Sequence, residues 1–241
     1  MKHCRKLLGL LPLLALVGCS NPADQVPAAA VQKPRPTETA KAQELPAGAK
    51  TYTLNTNSMI GFIGSKVTGS HAGGFNKFGG QFVVVDGKLA GNLQQIVIDM
   101  TSTWADSERL TGHLKSPDFF DVAQFPTAAF ASTAIEPGAA GHTVTGNLTL
   151  HGVTQSISFP ADIQTSDKEV AVKADFSINR FDFGIKYPGK TDDLIRKEVV
   201  LKLNVRATPG TADFAALEQA AKSAAASAAA APQRRGRKQK Q

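Results

Sequence analysis

Between positions 51 and 208 apolar and polar residues alternate. In EVAVKADFSI, Val170, Val172, Ala174, Phe176 and Ile178 fall on one face while Lys173 and Asp175 fall on the other; in SISFPADI, Ile157, Phe159, Ala161 and Ile163 do the same. A period of two belongs to a β-strand with one apolar and one wet face. Runs rich in Val, Ile, Thr and Phe recur near 52–67, 79–86, 92–101, 128–136, 142–150, 153–164, 169–180 and 195–207, with turn residues between them. This spacing predicts an all-β antiparallel sandwich or barrel of eight strands. Asp86-Gly87 after FVVV, and His151-Gly152 between TVTGNLTL and TQSISF, are hairpin signals, since a two-residue loop needs positive φ, which Gly takes freely and His more readily than most. His151 is therefore expected to be a turn residue.

The strand rhythm breaks only from 103 to 124. Asp106, Ser107, Glu108 and Arg109 followed by Leu110 and Leu114 read as an acidic helix start with an apolar i, i+4 pair. The stretch HLKSPDFFDVAQFPTAAF that follows holds four phenylalanines. Its Asp118 and Asp121 suit turns, and Pro126 marks where the next strand begins. Phe119 and Phe120 are expected to plug one end of the sheet.

Outside 50–208 the pattern is different. MKHCRKLLGLLPLLALVGCS begins basic, runs apolar from Leu7 to Val17 and ends small, the layout of a secretory signal peptide (1–18) rather than of a membrane span. Its Leu16-Val17-Gly18-Cys19 looks like a lipobox, so Cys19 is the expected lipidation site and membrane anchor. Residues 19–49, rich in Ala, Pro, Gln and Lys, read as a disordered tether. Such a tether would hold a folded domain (50–208) about 30 Å from a bilayer on average. The tail, 209–241, is Ala-rich and then basic at Arg234, Arg235, Arg237, Lys238 and Lys240; a lone helix with no stripe wide enough to dock is expected there.

Charge and cysteine content narrow the function. The 15 basic and 15 acidic side chains between 50 and 208 cancel, so the formal net charge of +7 belongs to the flanking segments and gives no nucleic-acid-binding surface. With Cys4 in the signal and Cys19 at the anchor, the domain has no disulfide, thiol nucleophile or thiolate metal site. His71, His113, His142 and His151 lack metal-ligand spacing, and no catalytic motif is present; we expect neither an enzyme nor a metal.

NSMIGFIGSKVTGS with GGFNKFGGQF, HLKSPDFFDVAQFPTAAFAST, VTGNLTLHGVTQSISFPADI and FSINRFDFGI together resemble the YceI-like family over nearly all of 51–207. Asn57-Ser58 stands where the family usually has His-Ser, and Leu110-Thr111 where it commonly has Arg-Asp. The resemblance implies an eight-stranded antiparallel lipocalin-like β-barrel with a short helix between strands. It further implies no cofactor but an isoprenoid lipid or quinone as ligand, held in an apolar tunnel. Candidate ligand-binding residues are then Phe62, Phe82, Phe130, Leu148, Phe159 and Phe176 in strands, with Leu110, His113, Leu114 and Phe119 near the helix. His113 either orients the helix loop or meets a ligand head group. The expected setting is the periplasmic side of a bacterial envelope, anchored at the outer membrane. The rival is a filled barrel that contacts other envelope components; pairing into a homodimer stays open.

Overall fold

The computed structural model of the chain describes residues 21–35, 45–138 and 141–230, the last four by backbone alone. The signal segment with Cys19, and the basic residues of the tail, lie outside the described residues. The strands are β1 (Ala30–Gln32), β2 (Lys50–Leu54), β3 (Met59–Lys66), β4 (Gly69–Phe75), β5 (Phe78–Val85), β6 (Lys88–Leu89), β7 (Gln95–Asp99), β8 (Thr103–Ala105), β9 (Thr127–Gly138), β10 (Gly141–Leu150), β11 (Val153–Thr165), β12 (Val170–Asn179), β13 (Gly189–Lys190) and β14 (Asp193–Pro209). The α-helices among the described residues are α1 (Glu108–Lys115) and α2 (Phe214–Ala230).

Several of these strands are halves of longer ones. β2 and β3 pair with β5 and β4 in nearly continuous register, Lys50 opposite Val84 and Lys66 opposite Gly69, so 50–66 and 69–85 form one long hairpin. β7 and β8, interrupted by a turn at Met100–Ser102, extend the ladder on β5 and β4. β9, β10, β11, β12 and β14 follow, and β14 returns to both β2 and β3. Every pairing between these strands is antiparallel and the ring closes, which makes the expected eight-stranded barrel. Asp86 and Gly87, at φ 50° and 75°, and His151 and Gly152, at 52° and 72°, turn their hairpins as expected.

One strand half was not expected. β4, GSHAGGF, has almost no β-branched residues, yet β3 flanks it on one side and β8 on the other. Its glycines serve close packing: a Cβ at Gly73 would lie 2.4 Å from Cζ of Phe62, and one at Gly74 2.8 Å from the Ile60 carbonyl. Tertiary context overrides propensity here.

The tether expectation is corrected over 21–35. β11 and β12 bond to each other only from Asp162–Lys173 to Thr165–Val170. Nearer the α1 end they splay, and the N-terminal segment fills the gap. β1 runs antiparallel to β11, Ala30 opposite Ser158 and Gln32 opposite Ser156. On its other side Ala29 N–H donates to the Ser177 carbonyl (2.8 Å) and Ser177 N–H to that of Pro27 (2.9 Å), in a parallel bridge to β12. Asn147 clamps the end of the segment through both N–H and C=O of Arg35. Val31 and Ala29 pack on the main core. The segment is thus a short ninth stave that satisfies backbone groups the splayed strands would otherwise leave unpaired.

The tail expectation is corrected as well. Asp213 caps α2 through the Ala216 N–H (2.9 Å), and the helix lies on the outer face of β5, β7 and β9 with Ala221 and Ala225 buried. A Cβ on Gly79 would sit 3.3 Å from Leu217 Cδ2. A stripe of alanines is wide enough to dock where the sheet beneath it is itself built of small residues, Gly79, Val97 and Ala129, aligned across three strands.

Candidate ligand cavity

The inward side chains of the barrel do not fill it. A cavity of about 540 Å³ runs from Lys66 and Lys190 at the α1 end to Ile135 and Ile163 toward the other. That volume falls within the roughly 300–1,000 Å³ typical of small-molecule sites. Its walls are almost entirely aliphatic and aromatic because inward positions alternate with outward ones in every strand.

Two aromatic groups shape it. Midway, Phe159 stacks on Phe176 with centroids 4.1 Å apart, and Phe130 leans on Phe159 at 5.8 Å. At the α1 end, Phe62, Phe75 and Phe120 meet at 5.7–6.3 Å. Phe125 covers the turn at His151 and Gly152, where a Cβ on Gly152 would lie 2.5 Å from its ring. The Gln94 side chain also borders the cavity, but its amide is used to tie down the loop that follows β6: its oxygen accepts from Val83 N–H (2.8 Å) and its nitrogen donates to the Val83 and Ala90 carbonyls.

A lid closes most of the α1 end. α1 presents Leu114, buried, and Leu110, half-buried, to the cavity. His113 joins this helix to two loops. Its Nε2 is 2.9 Å from Asp118 Oδ2, and its ring sits edge-on to Phe119 and to Tyr187, each 5.0 Å away. The histidine therefore orients the helix loop, and its ring also borders the cavity.

The second half of the lid, 180–192, hangs on Arg180. This side chain is 4% exposed and donates to the carbonyls of Arg196 (3.0 Å), Ile185 (2.7 Å), Tyr187 (2.8 Å) and Ile195 (3.2 Å). Burial pushes the guanidinium below its ordinary value, and no carboxylate among the described residues offsets its charge. Asp193 secures the base of the same loop. It accepts from Lys66 Nζ and from the N–H and hydroxyl of Thr68, which ties the β3–β4 turn to β14. The Lys66 hydrogen bond, aided by Thr68, holds the Asp193 carboxyl below the usual carboxylate range.

All ten candidate residues border this one cavity: Phe62, Phe82, Phe130, Leu148, Phe159 and Phe176 from the strands, and Leu110, His113, Leu114 and Phe119 from the lid. Phe120, expected as an end plug, borders the cavity as well, while sequence reasoning missed Phe75, the apolar stripe of β14 (Ile195, Val199, Leu201, Leu203), and the polar rim of Lys66, Arg180 and Lys190. Alternation marks the β14 residues; Arg180, isolated between Ile178 and Phe181, was the visible signal for the lid. Among the described residues no group of three or more His, Cys, Asp or Glu side chains is placed to hold a metal ion.

Comparison with known proteins places this architecture. The YceI-like domain model matches residues 52–207. The chain belongs to the YceI-like family. A UPF0312 protein of Pseudomonas putida strain W619 is 31% identical over 164 residues, which is 63% of this chain and 84% of that protein. A UPF0312 protein of Yersinia enterocolitica is 35% identical over 109 residues, 44% of this chain and 57% of its own. Among solved structures, Burkholderia cenocepacia BcnA superposes with a TM-score of 0.57 at 26% identity, covering 63% of this chain and 97% of that one. A polyisoprenoid-binding domain from Saccharophagus degradans shares the fold with a TM-score of 0.53 at 20% identity, over 66% of this chain and 98% of that domain.

Proposed function

We propose that this YceI-like protein holds the chain of an isoprenoid lipid, a quinone tail or polyprenyl group, in its barrel for transport, storage or sequestration. The observation that carries the reading is the apolar cavity of about 540 Å³ running along the barrel, with space for a ligand instead of a filled core. Each CH₂ buried there contributes up to about 0.8 kcal/mol, so a five-carbon unit adds roughly 3 kcal/mol before ordering costs. Chain length then dominates affinity, and the few polar groups at the rim act on the head. The same cavity weighs against a filled barrel that serves only as an interaction module. The related fold described as polyisoprenoid-binding is consistent with this ligand class.

The setting belongs to the same proposal. The segment up to Cys19 has the layout of a lipoprotein signal, so the protein works from the periplasmic side of an envelope, joined to the membrane through lipidated Cys19. Because the fold takes up the chain again at Asn21, the tether is two residues long rather than thirty. The barrel then rests against the bilayer instead of floating above it.

Native mass spectrometry of the exported full chain, followed by organic extraction, tests the ligand class. One stoichiometric isoprenoid per chain is expected. A chain that is empty and takes up no added prenyl compound would refute the reading.

A further inference from the structure

The outer wall of the barrel is apolar in one sector. Met59, Val67, Trp104, Phe181 and Leu194 are 39–56% exposed, and none of them borders the cavity. All five stand on or beside β14, β3 and β4. Met59 of β3 is opposite Asn204 of β14. Val67, just past the end of β3, donates its N–H to the carbonyl of Leu194 in β14 (3.2 Å). Trp104 of β8 is opposite Gly74 of β4, which in turn is opposite Gly61 of β3. Phe181 follows β12, whose last residue, Asn179, is opposite Glu198 of β14. Among the described residues the one other large apolar side chain with such exposure is Leu45, ahead of β2.

Trp104 shows what this sector suits. A Cβ on Gly74 would lie 3.1 Å from both Cζ2 and Nε1 of the indole, so the ring rests on bare backbone outside the barrel. Its N–H has no acceptor among the described residues. A half-exposed indole with its apolar body against protein and its N–H free matches the membrane–water interface, where such side chains collect. Arg196 and Lys197, both exposed, follow Leu194 on β14 and suit anionic phospholipid heads.

The N-terminal segment reaches the same sector. Asn21 is buried and caps a short turn, Pro22–Gln25, which packs on β14 with Ala23 buried. From Cys19 to Asn21 is two residue steps, a reach of about 7 Å at most. A lipid on Cys19 therefore enters the bilayer beside β14.

We infer that the outer wall of β14, β3 and β4 lies on the phospholipid bilayer in the anchored protein, with Met59, Val67, Leu194 and the ring of Trp104 set into its interfacial layer. This rests on the reading that Cys19 carries the lipid, and it adds which face of the barrel meets the membrane. The exposed positions run along β3 from Met59 to Val67, about 26 Å of strand, so the barrel lies on its side instead of standing on one end. The acyl anchor and this wall are two weak attachments on one rigid body, and together they hold one orientation.

Trp104 is the chain's single tryptophan, so its fluorescence reports on this wall alone. The test reconstitutes the exported full chain into vesicles of phosphatidylethanolamine and phosphatidylglycerol, with the unanchored Cys19→Ser chain in buffer as reference. Flotation shows whether the chain is held by the membrane. In the floating chain the emission should shift to the blue, and acrylamide quenching should fall about twofold as the exposed side of the ring leaves water. Phosphatidylcholine brominated near the head of its acyl chains should quench the same emission. The Met59→Glu/Leu194→Glu double variant should still float but lose most of the shielding and of the bromine quenching, whereas Leu45→Glu should keep both. A chain that floats with Trp104 as open to acrylamide as in the reference overturns the inference and leaves the anchor standing. Shielding without bromine quenching overturns it too, since the wall is then covered by a second copy, as does shielding that the double variant leaves intact. A chain that does not float refutes the anchor reading itself and this inference with it.

Discussion

The ring of Phe62 occupies the space that a side chain on its cross-strand partner, Gly73, would need. The Phe130 ring likewise fills the space beside Gly146, which pairs with Ser132 and lies diagonally across the ladder: a Cβ there would lie 2.4 Å from the ring and 2.5 Å from the Ala131 carbonyl. In both pairs the glycine lets a large ring lie along the wall, which keeps the lumen open while the ring stays buried.

Gly146→Ala should therefore overfill the wall. Ring and backbone must both shift, at a cost of about 1–3 kcal/mol. Phe130 is displaced toward the lumen, so prenyl binding weakens along with stability. Urea unfolding and ligand titration on the same preparation check both effects, and the double change with Phe130→Leu should recover part of each.

Much of this was legible before any coordinates. Alternation gave the eight staves and their inward faces, and for that reason the phenylalanines picked from strands do border one cavity. The turns at Asp86-Gly87 and His151-Gly152 were readable because positive φ restricts residue choice locally. What stayed hidden depends on distant partners. AVQ at 30–32 is too short to declare itself a strand and becomes one only because β11 and β12 part beside it. GSHAGGF lacks strand propensity and is held from both sides. Arg180 looks like the end of a strand until four carbonyls from 185–196 converge on it, and Arg109 and Lys190, far apart in sequence, share a rim only in the closed barrel.

The lid should depend on Arg180. Arg180→Met leaves four carbonyls without their donor, and an expected loss of about 3 kcal/mol follows from unsatisfied buried acceptors. Arg180→Lys, which keeps the charge but not the planar fork, should fall between the two. Urea midpoints give the ranking, and hydrogen exchange should show the loosening centred on 180–195.

Strong acid should release the base of the same loop. Asp193 has its folded pKa below the ordinary 3.8 because Lys66 and Thr68 hydrogen-bond its charged form. A depressed folded value means the contribution is complete above 3.8 and disappears as pH falls through that lower folded value. Limited proteolysis with an acid-active protease should show cleavage near 186–195 rising below pH 4. Asp193→Asn should already be cleaved there at the top of that range, with a flatter pH dependence.

The ninth stave gives another expectation. Deleting 21–35 strips the partners from Ser177 and from Ser156 to Ser158, and Val31→Asp puts a carboxylate where the segment meets the core; the point change should cost about 2 kcal/mol. A synthetic peptide of residues 21–35 added to the deletion variant should raise its melting temperature. No change on deletion would mean that the seam closes by direct pairing of β11 with β12.

The most direct measurement for the cavity as a binding site is affinity against chain length for prenyl alcohols of two, three, four and more isoprene units. We predict a steep gain with each added unit, followed by a plateau once the lumen is full. Affinity that stays flat from the shortest alcohol onward would contradict the account.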